Sequence, residues 1–267
     1  MINSISYNQY QTSFKANLNS PKLRYNQKDF FIKIRGYGRN SEWAREVIKV
    51  ADAAVFELRK KTPVEEVLKL IALGMSSANK IPLDLAKRVR TGILRTKRED
   101  WHSVEDTDLR TSYTNNRYKC YEKRLDEVAK NPLDEPSNNI AMSRPGLFDD
   151  IYHLNAEYVN NSLDYVFELC SKIFPKYSKK GVKSKDIDKI NNIVAEIRWV
   201  MAHATPWLRG SDAISNVFMR AIYKAVGIKA YPPAKGISFD LEAYCTNLED
   251  YKKNFSSYFE KPPIVIE

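Results

Sequence analysis

Residues 184–227 read SKDIDKINNIVAEIRWVMAHATPWLRGSDAISNVFMRAIYKAVG, and this stretch decides the fold. Ile187, Ile190, Val194, Ile197 and Met201 recur at a three-four spacing. That is the apolar stripe of an amphipathic helix, with Ser184 as its cap. Thr205-Pro206 interrupts it, because proline drives the residue before it out of helical backbone. A second stripe of Ile214, Val217, Phe218, Ala221, Ile222 and Ala225 predicts a helix from about 211 to 226. Gly227 stands where a left-handed C-terminal cap belongs.

Working outward, the same period returns. Residues 41–61 carry Trp43, Val47, Val50, Ala54 and Leu58 on one face, with Asn40 or Ser41 as cap. Thr62-Pro63-Val64-Glu65 reads as an N-cap, a first-turn proline and a third-position acid, opening a helix with Val67, Leu68, Ile71 and Met75 inward. Residues 117–130 and 149–174 read as further helices. Residues 131–146, with Pro132, Pro136 and Pro145, read as an irregular connection and the candidate internal boundary. Residues 1–29 are polar without an apolar period and read as a mobile arm ahead of one helical domain over 30–267. There is no internal repeat and no βα alternation. The expected class is all-α, a multi-helix bundle with at most short β-strand pieces near 30–34 and the C-terminus.

The chain has 43 basic and 33 acidic side chains, a formal charge of +10, and so attracts polyanions: nucleic acid, nucleotide, anionic lipid or an acidic protein. Its three cysteines, Cys120, Cys170 and Cys245, form no CxxC pair, which argues against a disulfide framework or a zinc site. No run of about 18 apolar residues exists, so no membrane span is expected. The first residues lack the basic and apolar regions of a Sec signal. The expected location is the cytoplasm, or outside the cell by a non-Sec route.

Chemistry concentrates between the two helices of the opening stretch. Ser211 or Asp212 is placed to cap the second helix, whose first-turn N–H groups attract an anion. Gly210 permits close backbone approach, and Arg209 adds a planar donor fork suited to phosphate or carboxylate. His203 ends the first helix, and Glu196 lies two turns earlier on the same face, so the pair reads as a general base and its orienting carboxylate. Residues 35–40, Arg-Gly-Tyr-Gly-Arg-Asn, form a second Gly/Arg turn before a helix, and Arg39 is added to the anion set. His102 and His153 show no metal spacing, and no metal ligands are assigned.

Residues 206–211, Pro-Trp-Leu-Arg-Gly-Ser, between helices resemble the signature of Fic-domain proteins, over about residues 187–227. That resemblance implies a transferase that binds a phosphorylated, nucleotide donor and modifies a protein or small hydroxyl substrate. Thr205 stands where the family has histidine, Arg209 where it has the metal-holding acid, Ser211 where it has asparagine, and Ala213 where it has the second phosphate-binding arginine. Magnesium is therefore not expected. The alternative is a non-enzymatic basic helical module that binds nucleic acid or an acidic protein through residues 87–98 and 176–185. A further alternative is a secreted effector or toxin acting on a host or rival protein, motivated by the polar N-terminus.

Overall fold

The computed structural model describes residues 20–33, 39–79, 91–95, 119–133, 140–145, 151–154, 158–177 and 182–266. Helix α1, Ser41–Lys60, begins because the Asn40 side chain accepts the N–H groups of Glu42 and Trp43, each at 2.9 Å. It ends at Lys61, whose left-handed backbone (φ 67°) returns its N–H to the carbonyls of Glu57 and Leu58. Helix α2, Val64–Ala78, follows at once. Pro63 takes the N-cap position that the sequence reading gives to Thr62. The Thr62 hydroxyl instead donates to Glu57 Oε2 at 2.6 Å and so fastens the turn to α1. The two helices touch at Gly74, where a β-carbon would stand 2.7 Å from Val50 Cγ2. Helix α3 is Lys119–Lys130.

Next come two short antiparallel strands, β1 Met142–Pro145 and β2 Ile151–Leu154, with Met142 opposite Leu154 and Pro145 opposite Ile151. The sequence reading assigns residues 151–154 to a helix. A four-residue apolar stretch satisfies either period, and a paired strand at 142–145 settles it as β. Helix α4, Val159–Ser171, is tied to this unit by the Ser162 hydroxyl, which accepts the Ala141 N–H at 2.9 Å. After a helical turn at Phe174–Tyr177 and a 3-10 turn at Ser184–Asp186 come α5, Ile187–Ala204, and α6, Ser211–Ala225. Gly227 (φ 84°) closes α6 as its left-handed residue, as the sequence predicts. Strand β3, Ile228–Lys229, pairs antiparallel with β4, Ile264–Val265, and α7, Phe239–Tyr244, and α8, Leu248–Asn254, lie between them.

The fold is all-α, with strands confined to two short pairs among the described residues. Helices α5 and α6 are its axis. Helix α6 packs on α1 and α2, and α5 packs on α4, α7 and α8. Every residue from Arg198 to Ala204 and from Ile214 to Val226 is buried, so the second half of α5 and most of α6 are enclosed on all sides rather than on one stripe. Phe239, Tyr251, Phe255, Tyr258 and Phe259 form an aromatic cluster against them, with ring centroids 5.1 to 6.4 Å apart.

The chain is already folded at Ser20, ahead of the Phe30 at which the sequence reading starts the domain. Pro21–Leu23 and Gln27–Phe30 are 3-10 turns, the second closed by a reciprocal capping box between Asn26 and Asp29. Leu23, Asp29, Phe30 and Phe31 are buried. Phe30 therefore ends a turn, and Phe31 is extended. Among the described residues no helix is long and apolar enough to cross a membrane.

Candidate functional site

The link between α5 and α6 takes its shape from two left-handed residues. Thr205 (φ 37°) ends α5, and Gly210 (φ 81°) is the N-cap of α6. A β-branched residue is rare in this region and needs external support. Thr205 has it from three sides: its N–H donates to Met201, its hydroxyl pairs with Ser143 at 2.9 Å, and its carbonyl accepts Arg95 Nε at 3.2 Å. Residues 91–95 lie along the link as a short extended strap. Leu208 N–H donates to Ile93, Arg95 N–H to Pro206 and Gly92 N–H to Arg209, at 2.9, 2.7 and 3.3 Å. Gly92 (φ 79°) brings the strap against α2, where a β-carbon would meet the Ala72 carbonyl oxygen at 2.6 Å.

This geometry places each residue that the sequence singled out. Arg209, Gly210 and Ser211 remain half-buried at the corner, beside the strap. The Ser211 hydroxyl is used internally: it accepts the Trp207 N–H and donates to the Trp207 carbonyl, both at 3.0 Å. The N-cap is Gly210, so neither Ser211 nor Asp212 caps α6. His203 is enclosed, 3% exposed, with its ring 3.8 Å from that of Trp199 and edge-on to Tyr244. Its Nδ1–H donates to the Trp199 carbonyl at 2.9 Å. Burial, with a further push from Arg144, lowers its pKa from 6.5 to about 4, so the ring is neutral near pH 7. Glu196 has other partners: the Tyr165 hydroxyl donates to it and Lys252 pairs with it at 3.5 Å. Arg39 is exposed just before α1. The residues 34–38, the densest part of the basic run at 87–98, and His102 lie outside the described residues.

A different group of charges converges just inside the corner. Arg198 of α5 is fully buried, and Asp212 of α6 accepts a hydrogen bond from its Nη2. Among the described residues its Nε and Nη1 are buried without a hydrogen-bond partner, and its guanidinium lies 5.5 Å from the Phe239 ring centroid. Asp240, in the first turn of α7, is 4% exposed and accepts from the Ser238 hydroxyl and from Leu241 N–H at 2.9 Å. Burial, and then the charge of Asp212, pushes its pKa from 3.8 up to about 7. A second buried acid, Glu242, accepts from the Tyr121 hydroxyl at 2.6 Å and takes a two-point contact from Arg124 at 3.1 and 3.0 Å. Tyr121 also accepts Ser238 N–H at 3.3 Å, which fixes the turn that carries Asp240.

The centre therefore holds an arginine with unused donors and a carboxylate that titrates near neutrality. The sequence reading missed it, although one signal was present: Arg198 stands four residues after Val194 and three before Met201, a charge on a buried stripe.

An all-α scaffold with a buried arginine–carboxylate centre where two enclosed helices meet is thus the class that fold and site define. The family model described as AvrB_AvrC, avirulence protein, matches residues 104–262, more than half of the chain. The chain belongs to that avirulence protein family. No curated protein matches it. The match overturns the Fic-domain resemblance of residues 187–227: a family model spanning 104–262 outweighs a six-residue signature. The geometry agrees, since the histidine near that signature is packed in a helix end rather than leading a loop.

Proposed function

We propose that this chain is an effector that acts on a protein of its host, with the Arg198–Asp212–Asp240 centre as its working site. The observation that carries the reading is the match to an avirulence family, since avirulence denotes a pathogen product detected by a resistant host. In this reading buried Arg198 holds Asp212, the half-buried member of the centre, toward a donor group of the bound partner. Asp240 exchanges a proton there, because its pKa near 7 lets either form exist at physiological pH. Arg209, with Gly210 and Ser211, borders the centre and contacts an acidic group of the partner. His203 and Glu196 serve the scaffold, one through its stack on Trp199 and the other through Tyr165 and Lys252.

The test is expression of the chain inside cells of a panel of host genotypes, wild type against Asp240→Asn. A genotype-dependent defence response that the folded variant no longer gives is the expected result. An unchanged response to the variant removes the assignment of the centre. Silence of the accumulated wild-type protein across the panel removes the effector reading itself.

A further inference from the structure

The folded N-terminal segment and the C-terminal third of the chain meet along a seam lined with positive charge. The Lys229 Nζ donates to the Arg24 carbonyl at 2.9 Å. Gly236 N–H donates to the Lys33 carbonyl at 3.3 Å, and the Lys33 side chain reaches Glu260. Lys22, Arg24, Lys28, Arg39, Lys235 and Lys261 are all exposed along these segments. Three of the cations are close enough to repel: after burial itself, Lys28 and Arg39 push the pKa of Lys33 down. Acids at the seam have cationic partners among the described residues: Asp29 is buried against Arg220, Glu260 pairs with Lys33, and Asp52, beside Tyr25, pairs with Lys224. A large exposed aliphatic side chain stands among the cations. Ile264, 42% exposed, is the cross-strand partner of Lys229 in the β3–β4 pair.

We propose that this seam is the docking surface for an acidic segment of the host protein, an inference that rests on the effector reading. Like charges held at a surface raise the free energy of the unbound protein, and a segment bearing carboxylates relieves it. Residues 1–19 do not supply such carboxylates, since they contain one lysine and no acid. Ile264 beside Lys229 favours a partner that alternates acidic and apolar side chains. Single-stranded RNA and an anionic bilayer, which also meet cations, are the competing occupants that the test separates.

The experiment uses the full chain and a fluorescein-labelled synthetic peptide in which Glu alternates with Leu, read by anisotropy. One variant carries Lys28→Glu, Lys235→Glu and Lys261→Glu. A control carries Lys130→Glu, Lys183→Glu and Lys189→Glu, exposed positions elsewhere with the same change in net charge. The seam variant should lose about tenfold or more in affinity and the control about twofold or less, with Ile264→Ser losing a few-fold. Equal losses in the two triple variants overturn the proposal, because global charge then explains the binding. Tighter binding of single-stranded RNA or of phosphatidylserine vesicles at matched salt, lost in the seam variant, overturns it in favour of those ligands. A seam variant that keeps the full response in a host genotype responsive to wild type also overturns the docking assignment and leaves the effector reading intact. Absence of any wild-type response removes the effector reading, and the peptide result then speaks for the surface alone.

Discussion

Replacing Asp240 with asparagine should make stability rise with pH between 4 and 6.5, because it unmasks a second buried group of opposite sign. Asp240 is pushed up from 3.8 to about 7. Between those values the folded state holds a proton that the unfolded chain has released, so stability falls as pH rises and levels off above 7. His203 is pushed down from 6.5 to about 4. In that window the unfolded chain holds the proton, so stability rises with pH and levels off above 6.5. At about 1.4 kcal/mol for each pH unit between folded and unfolded pKa, both contributions come to about 3–4 kcal/mol. Over the shared window they oppose each other, and the wild-type profile from these two groups should be nearly flat.

Asparagine keeps an oxygen to accept from Ser238 and Leu241 but cannot ionise. Asp240→Asn should therefore gain about 3 kcal/mol relative to wild type between pH 4 and pH 6.5 and remain the more stable protein at pH 8. His203→Phe, which retains a ring against Trp199, should show the reverse, losing stability across the window. Urea unfolding followed by tryptophan fluorescence at pH 4.5, 5.5, 6.5 and 8 measures this. Parallel profiles for wild type and Asp240→Asn would refute the reasoning.

Breaking the buried pair from one side should be worse than replacing its cation with an apolar chain. Asp212→Ala should lose about 3–5 kcal/mol and Arg198→Met clearly less, and equal losses in denaturant titrations would show that Arg198 is not the burdened partner. Gly92→Ala should lose about 2 kcal/mol or more, because its positive φ and the Ala72 carbonyl both resist a β-carbon. Gly227→Ala, with the same sign of φ but open space, should lose about 1 kcal/mol, and thermal melts rank the two. We also propose that residues 30–267 unfold as one unit. Far-ultraviolet circular dichroism and tryptophan fluorescence should then trace one coincident transition, and two separated transitions would place a domain boundary.

Sequence period was enough for α5 and α6. The stripes at 187–201 and 214–225 fall on α5 and α6, and Asn40 and Gly227 act as the caps their types predict. What period cannot carry is the identity of a distant partner. Arg95 bonds to Thr205 across 110 residues, and nothing local in residues 91–95 announces a strap. The β1–β2 pair was hidden for the same reason: Ile151–Leu154 becomes a strand only because residues 142–145 lie beside it. His203 misled because a histidine at a helix end near a proline turn looks exposed in a linear reading. In the fold Trp199 and Tyr244 close over it. Arg198 and Asp240 were legible only as charges in apolar company, a signal that says where to look without saying what is held.

The seam between residues 20–33 and 228–265 also sets an order of events. Lys33 meets Glu260, Arg24 meets Lys229, and Ile266 returns to Gly227, so nearly the first and nearly the last described residues are neighbours. A chain that arrives end first, from a ribosome or through a narrow channel, delivers one half of this clasp long before the other. Until α6 emerges, Asp29 and Phe30 lack Arg220, against which both pack. Closure is then the last step of folding, and a molecule still being threaded keeps the openness that threading requires.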